Sequence, residues 1–253
     1  MIRLQSPLRP QFNGIVMLNQ AFGTNNNDFY RQLGLKGHNG LDMYTQNYTD
    51  GNAPVTAAHD GYVISDATKD SDTGGRRVWL ESEETEIAGR KCKIKTVYFH
   101  LKSARVSISD DLSDSKNFDK YNQDKHKGRH FVRAGAEVGI ANNTGQYTTG
   151  AHLHFGFYPC WKQTDGTYRE EFENGYAGAQ DPQPYLQDDH IYQLPAGIGN
   201  GTYWWNGKTV LRNQLDTLMR PELKVQAEQY YSAYRAVKLF LASLMARYLS
   251  GKS

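Results

Sequence analysis

The chain has 253 residues, with 29 Lys and Arg against 27 Asp and Glu, a formal charge of +2. That near balance argues against an extended phosphate-binding surface, and so against a nucleic-acid role. No apolar run approaches the ~18–20 residues that a membrane-spanning helix requires, and 17 Tyr with 24 Gly suit a turn-rich β protein better than a helical bundle or a disordered chain.

The first residues, MIRLQSPLRPQFNG, hold two Pro and two Arg where a secretory signal would have a continuous apolar core. From about residue 53 come short β-branched or aromatic runs split by Gly, Asn and Asp: GYVIS, RRVWLES, KIKTVYFHL, EVGIA and HLHFGFY. These runs predict five strands, and since no helical pattern of 10–15 residues separates them, an antiparallel sheet with hairpin connections is expected. The polar stretch from Ser103 to His130 has too few apolar residues for a core and is read as a surface loop. DPQPYL, Asp181 to Leu186, closes the strand-rich part, and PAGIGNG, Pro195 to Gly201, has the composition of a connection. The chain accordingly divides into residues 1–194 and 195–253. In YWWNGKTV, Asn206-Gly207 between β-prone triplets predicts a hairpin. From Pro221, the residues Leu223, Ala227, Tyr230, Tyr234, Val237, Leu241, Leu244 and Tyr248 recur at alternating spacings of 4 and 3, which predicts an amphipathic helix over Pro221–Leu249. Its role is expected to be docking or assembly, whether by self-association or by packing back on its own chain, with membrane contact third. The fold class is mainly β: a compact antiparallel β-sheet domain with a C-terminal α-helical extension.

Four of the eight histidines, with one aspartate, stand out as chemistry-bearing. In AHLHFGF, strand alternation puts His152 and His154 on one face of the sheet. In GHNGLDM, His38 and Asp42 are an even number apart, and Gly40 removes a side chain from the approach between them. Imidazole and carboxylate are both good zinc donors, and with one more imidazole they make three protein ligands and an open fourth position, the ligand count of a catalytic zinc site. A glycine-rich turn with a capping Asp explains GHNGLDM equally well on its own. In VYFHL, His100 ends an apolar strand at the start of the polar loop, where functional side chains commonly sit. No HExxH is present, and Cys92 and Cys160 are the only cysteines, which excludes a four-Cys zinc site and a disulfide-dense scaffold. Of the remaining histidines, His59 in AAHDGYV is expected to pack or to face solvent, His126 and His130 belong to the polar loop, and His190 is superficial.

In this order, GHNGLDM, VYFHL and AHLHFGF, with AAHDGYV and GIANNTGQYTTG between them, closely resemble the lysostaphin/LytM-like zinc metallopeptidases. The resemblance runs from about Asn19 to Leu186, includes AFG at Ala21–Gly23 and DPQPYL, and does not reach the C-terminal segment. It implies one Zn²⁺ per chain held by His38, Asp42 and His154, with His100 and His152 assisting catalysis. It implies a compact antiparallel sheet with a groove between loops, and the peptides of bacterial peptidoglycan, stem or cross-bridge, as substrate. His59, where the family has a small residue, and the long loop after His100 are departures, and neither removes a ligand.

From that ligand set comes a metal-activated water cleaving a peptide bond, with one of His100 and His152 as general base and the other stabilising the oxyanion, in an order the sequence leaves open. The alternative is a catalytically inactive, wall-binding relative that activates another cell-wall hydrolase, a class that typically loses the ligands retained here. Action in the cell wall, periplasm or medium is expected, and the lack of a visible signal peptide fits a phage-type lysin or a chain whose leader has been removed. Cys92 lies eight residues before His100 and Cys160 eight after His152, so if those His oppose each other on antiparallel neighbours, the cysteines face each other too.

Overall fold

A computed structural model of the chain describes residues 2–9, 15–25, 28–45, 48–67, 73–106, 130–186, 191–193, 202–205 and 208–211. Its strands in chain order are β1 (Ile15–Gln20), β2 (Leu41–Tyr44), β3 (Ala53–Thr56), β4 (Gly61–Ala67), β5 (Arg76–Glu81), β6 (Thr85–Ile87) and β7 (Arg90–Ala104). After these come β8 (Phe131–Val132), β9 (Glu137–Ala141), β10 (His152–Lys162), β11 (Tyr168–Glu170), β12 (Ile191–Gln193), β13 (Thr202–Trp205) and β14 (Lys208–Leu211). One helical turn, α1 (Phe29–Gln32), lies between β1 and β2. All five runs predicted from sequence form strands, as β4, β5, β7, β9 and β10.

β10 is the centre of the molecule. Its residues are buried from His152 to Trp161, because β2 and β7 pair with its two edges and both of its faces are covered. Leu153, Phe155 and Phe157 alternate into the core, against Leu41 and Met43 of β2, Ile94 and Tyr98 of β7, and Val78 and Leu80 of β5. His152, His154, Gly156, Tyr158 and Cys160 belong to the opposite face. That second face carries a smaller cluster of Val97, Tyr158 and Ala179, packed with Trp79, Phe99 and Tyr176.

The main path of the sheet runs β14-β13-β12-β1-β2-β10-β7-β5-β4-β8. Every pairing between strands is antiparallel except that of β1 with β12, where Ile15 lies opposite Ile191. Leu4 and Leu186 form a second parallel bridge, so the two ends of this part of the chain are clasped together. The predicted hairpin is present as β13 and β14, with Trp205 opposite Lys208. The predicted helix over Pro221–Leu249 and most of the Ser103–His130 loop lie outside the described residues. At the start of that loop β7 runs on to Ala104, and Val106 is buried.

A bulge in β7 resets which face its later residues occupy. Arg76 opposes Leu101 and Val78 opposes Tyr98, so the single residue Arg77 faces both Phe99 and His100. His100 takes φ +63, a left-handed conformation uncommon outside glycine, and its backbone is held by Gly74 O (3.0 Å) and Asn142 N (2.9 Å). Past this bulge β7 pairs with β9, Leu101 opposite Ala141, and β9 in turn pairs with β3.

The register corrects the expectation for the cysteines. β10 pairs His154 with Phe99 and Trp161 with Cys92, which puts Cys160 opposite Lys93. Cys92 and Cys160 therefore point to opposite faces and are both free thiols. Counting eight residues out from each histidine fails because His100 meets His152 through the bulge and not through ladder register. Burial pushes the Cys92 thiol up to about 11 and raises that of Cys160 further, so neither is a reactive thiolate.

Candidate metal centre

His38, Asp42 and His154 come together from two strands and one turn. Asp42 on β2 and His154 on β10 are direct cross-strand partners, so their meeting is a consequence of register. His38 precedes β2, so even spacing along a strand is not what aims it at Asp42. It is set by a turn laid against the segment after β1: its N–H donates to Thr24 O (2.8 Å) and its carbonyl accepts from Gly23 N (2.8 Å). A Cβ on Gly37 would stand 2.4 Å from Gly23 O, so this approach requires glycine. Gly40 matters as the sequence suggested, since a Cβ there would sit 2.7 Å from both Cε1 of His154 and the carbonyl of Phe155.

The three donor atoms form a tight triangle. His38 Nε2 is 2.9 Å from His154 Nδ1, and Asp42 Oδ1 is 3.1 Å from each. His38 Nδ1 lies 3.3 Å from the carbonyl of Ala21, which as an acceptor takes its N–H and leaves a lone pair on Nε2. Burial lowers the pKa of His154, favouring the neutral ring. Burial also opposes the charge on Asp42, but the surrounding imidazoles of His38, His154 and His152 hold its carboxyl well below the usual carboxylate range. Two ring nitrogens and a carboxylate oxygen, all able to ligate a metal, therefore converge within 3.1 Å of one another, and Nε2 of His154 is buried without a hydrogen-bond partner. Zn²⁺, which bonds these donors at about 2.0–2.2 Å, fits donors spaced this way.

His100 and His152 adjoin this triangle. Their ring centroids are 4.6 Å apart, and His152 Nε2 is 3.7 Å from Asp42 Oδ1. Each has Nδ1 tied to a carbonyl, His100 to Thr144 (2.7 Å) and His152 to Gly150 (2.8 Å). A carbonyl can only accept, so in both rings Nδ1 carries a proton. Burial, with His152 and His154 close by, pulls His100 down to about 4, so it is a neutral acceptor at neutral pH.

All five residues singled out in the sequence thus share one site. His59 does not join it: buried under β4, its Nδ1 donates to Asp60 O (2.8 Å) and its Nε2 accepts from Thr96 Oγ1 (3.0 Å). His130 is exposed, and His126 and His190 lie outside the described residues. Sequence reasoning missed several supporting groups. Thr144 and Gly150 act through carbonyls, which no side-chain pattern reveals. Phe99, whose ring stacks on His154 at 5.3 Å, was not singled out. Tyr30 lies 5.4 Å from His38 ring to ring, with its hydroxyl donated to Gln20 Oε1 (2.8 Å).

No family model and no curated protein matches the chain. Solved structures similar to it include the catalytic domain of the antimicrobial peptidase lysostaphin from Staphylococcus simulans, at 21% identity and TM-score 0.41, covering 68% of this chain and 92% of that one. LytU has 24% identity and TM-score 0.40, covering 66% and 82%. A zinc-containing peptidase from Vibrio cholerae has 20% identity and TM-score 0.40, covering 62% of this chain and 37% of its own length. In motif order and in the architecture described, the chain resembles the lysostaphin/LytM-like peptidases.

Proposed function

We propose that the chain is a zinc-dependent endopeptidase that hydrolyses peptide bonds of bacterial peptidoglycan, acting in the cell wall, periplasm or medium. The observation that carries this reading is the triangle of ligand atoms on His38, Asp42 and His154 with two further imidazoles beside it, each with Nδ1 held by a backbone carbonyl. One Zn²⁺ held by the three would supply a Lewis acid that activates water and polarises the scissile carbonyl. His100 and His152 divide the proton work: one Nε2 would accept the proton of the attacking water and return it to the leaving amine, and the other, entering as an imidazolium protonated from solvent and keeping that proton throughout, would donate to the developing oxyanion. Residues 1–194 carry this chemistry, and 195–253 serve docking or assembly. Among the described residues no helix is long and apolar enough to cross a membrane.

Metal analysis of the purified protein, together with mass spectrometry of soluble peptidoglycan fragments after digestion, tests the reading. One zinc per chain and new peptide termini that a chelator abolishes are expected. A protein that binds no zinc, or that binds it and releases no termini, would overturn it.

A further inference from the structure

An arc of aromatic rings links His38 to the segment that aims His152. Tyr30 lies 5.4 Å from His38, Phe29 lies 5.3 Å from Tyr30, and Tyr147 lies 5.4 Å from Phe29, the last two contacts edge-to-face. Beside Tyr147, the Thr148 hydroxyl donates to Gly150 O (3.0 Å) and lies 3.3 Å from His152 Nδ1. Phe29 starts α1, before β2, whereas Tyr147 lies in the turn before β10, so their contact bridges two separate segments on one side of the metal centre. Both rings are large and open, with Phe29 36% and Tyr147 47% exposed. Tyr30 is less available, since burial and the bond to Gln20 occupy it. Two open aromatic faces joined edge-to-face beside a polar reaction centre form a surface suited to an apolar group on a ligand held at that centre.

We propose that Phe29 and Tyr147 form an apolar subsite that takes a methyl-bearing residue of the substrate peptide, so that the chain prefers alanine-containing stem peptides to oligoglycine bridges. The proposal rests on the endopeptidase reading above and names its substrate class. Glycine has no side chain to lay against the rings, whereas a methyl group in an apolar subsite discriminates by about tenfold or more. Because Tyr147 adjoins Thr148, filling the subsite also steadies the segment that orients His152, so binding there contributes to turnover as well as to affinity.

The test compares kcat/KM of the zinc-loaded protein on a soluble cross-linked stem-peptide dimer and on pentaglycine. The dimer is expected to be cut at least about tenfold better. Phe29→Ala should lower the rate on the dimer about tenfold more than the rate on pentaglycine, and be largely rescued in Phe29→Leu. In the zinc-free protein, adding the dimer should shift the ring NMR signals of Phe29 and Tyr147. Equal cleavage of both peptides, a preference for pentaglycine, an equal loss on both in Phe29→Ala, or unshifted ring signals would each overturn the subsite while leaving the endopeptidase reading standing. Cleavage of neither peptide would overturn both.

Discussion

β10 carries two buried polar clusters on the same face, and they differ in how their polar groups are satisfied. Toward its far end, Lys95 pairs with Glu170 and Lys93 with Glu81, each at 2.8 Å, beside Cys160. Each ammonium there meets a carboxylate, so the cluster is closed on itself. At the near end, His38, Asp42 and His154 bring three potential metal ligands together, and Nδ1 of His100 and of His152 is turned away to a carbonyl. Both regions are expensive to desolvate, but the near end crowds three metal-ligating atoms around one point and leaves a buried ring nitrogen, Nε2 of His154, without a partner. Burial of charge does not by itself distinguish a reactive site from a structural one; the pairing within the cluster does.

The sharpest break of this contrast is to remove a ligand. His154→Ala should reduce zinc content and peptide cleavage to background, read by metal analysis and peptide release, while the far cluster stays folded. Removing a neighbour that does not ligate should separate binding from chemistry: His100→Ala or His152→Ala is expected to keep zinc and lose about 10²–10⁴-fold in turnover. At the far end the same logic runs in reverse. Lys95→Met strands Glu170 without its ammonium and should cost about 3–5 kcal/mol in denaturant unfolding, with zinc stoichiometry unchanged. Replacing both partners by apolar residues should recover much of that loss.

Two smaller effects sharpen the comparison. Gly40→Ala pushes a methyl against the His154 ring and the carbonyl of Phe155, so zinc affinity measured by competition should fall about 10–100-fold. His59 offers a pH test away from the metal. Burial lowers its pKa, so the folded state refuses a proton that the unfolded state takes below about pH 6.5. Its stability contribution is complete above that pH and is lost as pH falls toward the depressed folded value, with a slope of up to about 1.4 kcal/mol per pH unit. His59→Asn should flatten that limb of the unfolding curve.

The strands with long alternating or aromatic runs were legible in the sequence because two-residue periodicity is a property of the strand itself. So was the shared face of His152 and His154. β2, only four residues long, and the parallel partner β12, only three, offered too little pattern to read. The placement of His38 was visible as a motif but not as a geometry, since it depends on the Gly37 approach to Gly23, two segments that only the folded chain brings together. The bulge at His100 was invisible for a different reason. One residue in a left-handed conformation resets the parity of everything beyond it, and no side-chain pattern records that reset. The cysteine expectation failed at that point, because it carried the parity of His100 back to Cys92.

The parallel clasp of β1 with β12 and of Leu4 with Leu186 also sets an order of assembly as the chain leaves the ribosome. His38 and Asp42 emerge early, in and just before a strand whose second neighbour, β10, has not yet been made, and the clasp must wait longer still. Contacts so distant in sequence close slowly, and the loop entropy they cost is recovered only once they form. The half-made site therefore has two of its three donors until His154 is synthesised, so a cation that needs all three could be held only late in the life of the nascent chain.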